Sequence, residues 1–226
     1  MRNGEFEINL DPSFHARWPE AHIGILAVSG VIQAGDTKPM ESAISEMIEM
    51  VSNRFPDSEV LKNDATLQAY IKYYKEFKKS YHVLAQVESV LFKGKPIPFQ
   101  NPLVAAMFAA EIKNMLLTAG HDLNKIQPPL TISVSAGTEA YISISGKEII
   151  PKSSDMMIRD SAEPISTVIY GPDRRTCITP ETDAALFTVY APAGISQEDT
   201  RGHLMDLLRF IELFSPTTQK ILLNTY

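Results

Sequence analysis

The sequence predicts an α+β fold in which a helical N-terminal half packs on a mostly antiparallel sheet. Apolar residues recur with a helical period over much of the first half, whereas from Thr131 onward they alternate with a period of two. One more helical stripe closes the chain. The 226 residues suffice for one large or two small domains. We divide them into an N-terminal extension, 1–79, and a core domain, 80–226, that together form one compact unit.

The first half begins with two predicted strands, 5–10 and 22–32, and the second is nearly all apolar, as in a strand covered on both faces. A helix follows Thr37, with Pro39 in its first turn. Its apolar face consists of Met40, Ala43, Ile44, Met47, Ile48 and Val51. A second helix is expected to begin at Asp64 and a third to cover 81–92.

A central helix is predicted in the middle of the chain. Prolines keep the residues before it in a loop, and Asn101-Pro102 has the pattern of a helix cap followed by a first-turn proline. The helix, 103–117, is apolar nearly all round at its start, so it should be central to the fold. We expect Gly120 to end it, with His121 and Asp122 in a polar loop beyond.

The second half favours strands. Residues 131–135 and 140–145 are predicted to pair as a hairpin around Gly137, followed by strands at 165–170, 176–178 and 185–190. Ser196 and Asp199 have the pattern of a capping box. The last helix that they begin has an apolar stripe made of Leu204, Leu207, Leu208, Ile211 and Phe214.

The composition limits the class of protein. The chain has 21 Lys and Arg against 27 Asp and Glu, a net charge of −6, which argues against a generic nucleic-acid coat protein. Its single cysteine, Cys177, excludes an intrachain disulfide framework and a cysteine zinc cluster. That thiol is either buried and inert or activated by Arg174 and Arg175. No apolar run approaches a membrane span of about 20 residues, so we expect a cytoplasmic protein without membrane contact.

One segment departs from the acidic average. Residues 72–95 hold six lysines against two glutamates, a local charge of +4. This segment is the best candidate for contact with RNA or another polyanion, although lysines near a helix C-terminus also suit the helix dipole in a solvated face. The six candidate RNA-binding residues are Lys72, Lys75, Lys78, Lys79, Lys93 and Lys95.

Three further places carry candidate substrate-binding groups. Glu88 falls on the apolar stripe of the third helix, where a carboxylate either reaches solvent at the edge or faces a polar cavity. His121 beside Asp122 either acts as a base that orients water or caps a turn. Arg174 and Arg175, in a turn between strands, either bind an anion or form a solvated hairpin tip.

Several established motifs are missing. The sequence has no phosphate-binding P-loop, no GxGxxG and no GxSxG. Its five histidines show no paired metal-ligand spacing. We therefore expect neither a metal site nor a cofactor.

From Ser80 to about Ala193, the order and spacing of several short segments resemble a known family. The segments are VESVL from Val87, GKPIP from Gly94, NPLV from Asn101, GHDLNKI from Gly120, and GPD from Gly171, followed by Thr176, Ile178, Thr179 and Thr182. Together they resemble the B3/B4 domain of the phenylalanyl-tRNA synthetase β subunit, and more specifically the free-standing bacterial proteins built around that domain. Residues 1–79 are similar to the extension of the free-standing proteins.

The resemblance implies a role in aminoacyl-tRNA editing. In the synthetase, this domain hydrolyses tyrosine wrongly attached to the phenylalanine tRNA, in a pocket between its helical and sheet portions. Asn101 matches the family's pocket asparagine, whereas Ala119 and Arg174 stand where the family has a histidine and a glutamate. His121 and Asn101 are then the expected catalytic residues, and Glu88, Asp122, Arg174, Arg175 and Thr179 the expected substrate-binding residues.

Three functions stay open on the sequence alone. The first is a deacylase that acts in trans on mischarged aminoacyl-tRNA, since the chain lacks the length and motifs of a complete synthetase. Such an enzyme needs no triad, because the ester is activated and catalysis requires a positioned water and hydrogen bonds to the oxyanion. The others are a non-catalytic RNA- or tRNA-binding module and a binding protein for an amino-acid-like molecule. The amino acid, the tRNA and the oligomeric state are not determined.

Overall fold

The computed structural model describes residues 7–226. Seven helices and eleven strands make up the described part. In chain order they are β1 (Ile8–Leu10), α1 (Pro12–Arg17), β2 (His22–Ser29), α2 (Lys38–Arg54), α3 (Ser58–Lys62), α4 (Ala65–Glu76), α5 (His82–Leu91), α6 (Pro102–Asn114), β3 (Thr118–Asp122), β4 (Leu130–Val134), β5 (Tyr141–Ile142), β6 (Glu148–Ile149), β7 (Met156–Arg159), β8 (Pro164–Thr167), β9 (Gly171–Pro172), β10 (Ala184–Ala191), α7 (Gln197–Phe214) and β11 (Gln219–Thr225).

The strands form two main sheets and a short ribbon. The first sheet has the order β1-β4-β7-β8-β9, the second has the order β11-β2-β10-β3, and β5 pairs with β6. Only the β1–β4 pair is parallel among the described strands; every other ladder is antiparallel. The expectation of an α+β fold with a mostly antiparallel sheet is therefore confirmed, with the strands divided between two sheets.

Helices α2, α6 and α7 contact one another, and α7 also contacts β2, β10 and β11. They bury their apolar stripes together with the nearly all-apolar strand β2, whose first seven residues are all buried. Helix α4 is tied to both sheets by tyrosine hydroxyls. Tyr70 donates to the Tyr190 carbonyl of β10 at 2.6 Å, and Tyr74 donates to the Val168 carbonyl, just after β8, at 2.7 Å.

The predicted caps at Asn101 and Ser196 and the predicted start of a helix at Asp64 are confirmed. The Asp64 carboxylate accepts from the Thr66 and Leu67 amides at the start of α4. Asn101 accepts from the Val104 amide at 3.1 Å at the start of α6. Ser196 accepts from the Asp199 amide at 3.0 Å at the start of α7. The apolar stripes of α2 and α7 face the core as expected.

The prediction that Gly120 ends the central helix is wrong. Helix α6 ends at Asn114, and Met115 adopts the left-handed conformation, with φ 61°. Gly120 lies within strand β3, where a Cβ would stand 2.7 Å from the Ile178 Cδ1 atom. Close packing, not a turn, therefore requires this glycine, and His121 and Asp122 belong to a buried strand instead of a polar loop.

The predicted hairpin around Gly137 is also wrong. Strand β4 pairs with β1 and β7, while β5 pairs with β6. The Glu139 carboxylate accepts from the amides of Ala136, Gly137 and Thr138, and so closes a local turn. This turn changes the direction of the chain after β4. The segments 131–135 and 140–145 both have the alternating pattern of a strand, but they do not pair with each other.

Other element boundaries differ from expectation. Strand β2 ends at Ser29, and Gly30 follows with φ 69°. Residues 176–178 form a single bridge, His121 with Cys177, because Thr176 bonds back to Asp173. The expected strand at 165–170 is β8, which ends at Thr167. Helices α1 and α3 and strands β3, β6, β7, β9 and β11 were not predicted.

The N-terminal residues contribute to the central architecture. Residues 5 and 6 of the first predicted strand lie outside the described residues, and β1 starts at Ile8. Strand β2 lies between β11 and β10 in the second sheet. The division at residues 79 and 80 stays a prediction. Within the described part, no helix is both long and apolar enough to span a bilayer.

Candidate functional site

A cavity of about 270 Å³ lies between the helices α5 and α6 and the strands β3, β8, β9 and β10. Its walls are mostly apolar, with a few polar groups among them. The lining residues are His82, Val83, Gln86, Val104, Met107, Phe108, Glu111, Leu117, Thr118, Ala119, Thr167, Val168, Gly171, Pro172 and Tyr190. An apolar concavity with few convergent polar groups is the usual form of a small-ligand site.

Glu111 is the only acidic residue in this lining. It lies on the inner face of α6, and its Oε1 atom accepts from the Thr118 amide at 2.8 Å. Burial raises the pKa of the Glu111 carboxyl to about 8, and the hydrogen bond from Thr118 acts in the opposite direction. At pH 7 the carboxyl is therefore mostly protonated, and it can donate a hydrogen bond into the cavity.

The cavity wall formed by α5 carries His82 and Gln86, which are four residues apart on one helix face and exposed. The His82 ring contacts the rings of Tyr74 and Tyr81, with centroids 6.1 Å apart in both cases. Partial burial lowers the pKa of His82, so its ring is neutral at pH 7 and offers a hydrogen-bond acceptor. Perturbed titratable groups in a cleft are typical of functional sites.

His121 lies behind the cavity wall and does not line it. The ring is fully buried, and its Nδ1 and Nε2 atoms lie 2.8 Å from Thr176 Oγ1 and 3.3 Å from Ser166 Oγ. Ser166 Oγ in turn lies 2.5 Å from the hydroxyl of Tyr190, which does line the cavity. Burial, with the charge of Arg175, lowers the pKa of His121 to about 3. His121 therefore reaches the cavity only through Ser166 and Tyr190.

Asp122 and Thr179 have structural partners. The Asp122 carboxylate accepts from the Asn124 amide at 3.0 Å and from the Thr182 hydroxyl at 2.9 Å. Thr179 donates its amide to Thr182 Oγ1 at 3.0 Å, and its carbonyl accepts from the Gln33 amide group at 2.7 Å. Neither residue lines the cavity.

Arg174 and Arg175 are adjacent but differ in their partners. Arg175 pairs with Asp160 and Glu163, each at 2.9 Å, and donates to the Lys125 carbonyl. Its guanidinium is thus largely occupied by groups of the chain itself. Arg174 is exposed and has no carboxylate within 4 Å in the described part. Of the two, only Arg174 is available to an external anion.

Neither Glu88 nor Asn101 lines the cavity. The Glu88 carboxylate accepts from the Ser58 hydroxyl at 2.5 Å and lies 3.3 Å from Lys62 Nζ. These partners, Ser58 first, hold the pKa of Glu88 below its usual range. Glu88 is therefore a paired carboxylate at the edge of the apolar stripe of α5 and does not face a polar cavity. Asn101 caps α6, the helix that carries Glu111, and its side chain is committed to the Val104 amide.

The lysine surface, defined as Lys72, Lys75, Lys78, Lys79, Lys93 and Lys95, is exposed throughout. None of these lysines has a carboxylate within 4 Å in residues 7–226. The surface approaches the cavity at one point, because Lys79 Nζ lies 5.7 Å from the ring centroid of Tyr170, next to the lining residue Gly171. Among the described residues, no group of three His, Cys, Asp or Glu side chains is placed to hold a metal ion.

These features define an α+β protein with a mostly apolar cavity between its helices and its sheets. No family model matches the chain, and no curated protein matches it. Among solved structures, the chain is similar to an N-terminal fragment of the phenylalanyl-tRNA synthetase beta-subunit from Pyrococcus horikoshii, at 12% identity and a TM-score of 0.49. The match covers 93% of this chain and 49% of that fragment, so the chain spans about half its length. The function proposed below rests on the residues of this chain.

Sequence reasoning placed Ala119 in a pocket but missed the polar residues that line the cavity. The signal for Glu111 was present, because it is one carboxylate in a helix otherwise apolar nearly all round, which is the argument that was applied to Glu88. His82 and Gln86 stand four apart, which places them on one face of α5. Thr118 and Tyr190 carried no signal, since their roles depend on strand pairing.

Proposed function

We propose that this protein binds the aminoacyl end of a tRNA and hydrolyses the ester that joins the amino acid to the ribose. The observation that carries the proposal is the cavity, whose walls are mostly apolar and whose lining includes the protonated carboxyl of Glu111. Its volume, about 270 Å³, suits a side chain and little more. The sequence segments from Val87 to Thr182 that resemble the B3/B4 domain support the same assignment.

Hydrolysis of the aminoacyl ester requires few catalytic groups from the protein, because the ester is already activated. Water attacks the ester carbonyl carbon, the ribose oxygen leaves, and that oxygen takes up a proton. The neutral His82 ring at the cavity wall is the candidate acceptor for the proton of the attacking water. The Glu111 carboxyl, with its pKa at about 8, is a hydrogen-bond donor at pH 7 for a polar atom of the bound group. His121 then acts as a positioning residue, through Ser166 and Tyr190.

The lysine surface supplies the contact with the nucleic acid. Exposed lysines without internal partners keep their full charge for phosphates, and such contacts weaken steeply with added salt. Lys79, beside Tyr170, is the member of this surface nearest to the cavity lining. The proposal therefore places the RNA backbone along the lysines, with the amino acid in the cavity.

The test is release of the amino acid from a panel of mischarged tRNAs. We expect release for at least one pair, a strong loss in His82→Ala, and weakened tRNA binding in the triple variant with Lys75, Lys78 and Lys79 changed to Glu. Lys147→Glu, at an exposed lysine outside the lysine surface and without a carboxylate within 4 Å in residues 7–226, is the control and should behave as wild type.

Two other outcomes would reject hydrolysis and identify an alternative. Salt-dependent tRNA binding without release for any pair would favour a non-catalytic RNA-binding module. Thermal stabilisation by a free amino acid, with no tRNA binding, would favour a small-molecule binding protein.

A further inference from the structure

A second concavity, of about 300 Å³, lies on the surface where three distant chain segments meet. Arg17 comes from the end of α1, Lys78 from the residues after α4, and Lys152, Ser153 and Ser154 from the loop before β7. We call this concavity the basic cleft. It is separate from the cavity described above and shares no lining residue with it.

Two of the cations of the basic cleft, Arg17 and Lys152, are held in place by specific contacts. The Arg17 guanidinium lies 3.8 Å above the Trp18 ring, whose indole N–H donates to the Ser154 carbonyl at 2.9 Å. Lys152 Nζ donates to the Phe77 carbonyl at 2.6 Å, and so joins its loop to the end of α4. The three segments are therefore tied to one another by bonds that leave their positive charges in the cleft.

The charge of the basic cleft is not balanced internally. Three cations line it against one carboxylate, that of Glu76, which pairs with Arg17 at 2.5 Å. Lys78 has no carboxylate within 4 Å, and the hydroxyls of Ser153 and Ser154 make no hydrogen bond within residues 7–226. Converging cations repel one another, so an arrangement that brings them together from three segments is costly unless an anion binds between them.

Two residues of the basic cleft, Lys78 and Ser154, adopt the left-handed conformation, with φ 55° and 74°. Lys78 does so as the C-terminal cap of α4, because its amide donates to the Lys75 carbonyl and the Lys79 amide donates to the Tyr74 carbonyl. Ser154 lies in the loop before β7, where its amide donates to the Ser135 carbonyl at 2.8 Å. The end of α4 and this loop therefore fix the backbone around the cleft.

We propose that the basic cleft binds a phosphate group. A phosphate carries a charge near −2 and three strongly accepting oxygens, which matches a net charge of +2 with hydroxyl and N–H donors around it. Lys78 also belongs to the lysine surface, so the inference overlaps with the proposed RNA contact, but it does not depend on the ester chemistry proposed for the cavity. The two sites are nevertheless close along the chain, because Lys78 and His82 are four residues apart and at most about 14 Å of backbone joins them.

The test is a titration with inorganic pyrophosphate, followed by the amide NMR shifts of Lys78, Ser153 and Ser154. We expect saturable shifts at these amides. Lys78→Asn tolerates the left-handed conformation and should weaken binding about fivefold, as expected for one exposed charge at contact distance. Glu76→Gln removes the only carboxylate and should strengthen binding by a similar factor. Lys147→Asn, an exposed lysine just before β6 that belongs neither to the cleft nor to the lysine surface, is the control.

A parallel titration with a short single-stranded RNA distinguishes the source of the phosphate. Shifts at the same amides with the RNA would identify a nucleic-acid backbone, and shifts with pyrophosphate alone would identify a free phosphate compound. The proposal is overturned if pyrophosphate gives no saturable shift at these amides, or if Lys78→Asn and Glu76→Gln bind it as the wild type does. Hydrolysis of mischarged tRNA can succeed or fail independently of this result.

Discussion

Replacing Glu111 by glutamine tests the buried carboxyl of the cavity directly. Glutamine has nearly the same shape, and its carbonyl oxygen can still accept the hydrogen bond from the Thr118 amide. The substitution therefore removes the titration of one group and leaves the packing of α6 unchanged. Any pH-dependent difference in stability between the two proteins then belongs to Glu111.

The direction of the effect follows from the raised pKa. Between the ordinary pKa of 4.5 and the folded value of about 8, the folded protein binds a proton at Glu111 that the unfolded chain does not. The free energy of unfolding of the wild type must therefore fall as the pH rises through this window. At about 1.4 kcal/mol per pH unit, the ceiling is about 5 kcal/mol. Water entering the cavity reduces this penalty, and we expect about 2–3 kcal/mol.

The assay is urea unfolding of both proteins at several pH values between 5.5 and 9. Glu111→Gln should become progressively more stable than the wild type as the pH rises, and the difference should level off above pH 8. A difference that does not change with pH would refute the reasoning, because it would mean that Glu111 ionises in the folded protein as freely as in the unfolded chain.

The remaining predictions concern stability and the helix cap. His121→Phe should lose about 2–3 kcal/mol near pH 7 by urea unfolding, because buried hydroxyls lose their partners. This loss should shrink as the pH falls from 6.5 towards 3, because the unfolded wild type then binds a proton at His121 that the folded protein does not. A loss that stays constant with pH would contradict the lowered pKa of His121. Gly35→Ala should destabilise by about 1–3 kcal/mol, because its Cβ would meet the Phe214 carbonyl oxygen at 2.1 Å. Gly202→Ala, exposed in α7 with open space around it, should stabilise by about 0.5–1 kcal/mol. Thermal melts of both glycine variants test this, and a Gly35→Ala protein more stable than the Gly202→Ala protein would reject the packing argument. Asn101→Ala should cost about 1 kcal/mol as a lost cap while leaving ester hydrolysis intact, whereas lost hydrolysis at normal stability would place Asn101 in the reaction.

Local signals in the sequence were sufficient for the starts of the longer helices, whereas the short helices α1 and α3 and the end of α6 were missed. The caps at Asn101 and Ser196 and the start of α4 at Asp64 were predicted correctly, because a helix cap is a contact between residues two or three positions apart. The apolar stripes of α2 and α7 were predicted for the same reason, since one helix face follows from spacing alone. The exposed lysine surface also followed from local composition.

Strand partners and the cavity could not be predicted in this way. The alternating pattern at 131–135 correctly indicated a strand, but it contains no information on whether β1, β5 or β7 lies beside it. Strand β11, at the opposite end of the chain from its partner β2, was missed for the same reason.

The sequence by itself determined the α+β class, the helix boundaries at their capped ends, and the place of the positive surface on an acidic chain. Only the tertiary structure decided which polar residues face the cavity. In the folded chain His121 is buried behind Tyr190, and Arg175 is paired with the carboxylates of Asp160 and Glu163. Glu111 lines the cavity, and Glu88 does not. The physical reason is that helix caps and stripes depend on neighbours within a few residues, whereas burial and pairing depend on contacts between residues far apart in the chain.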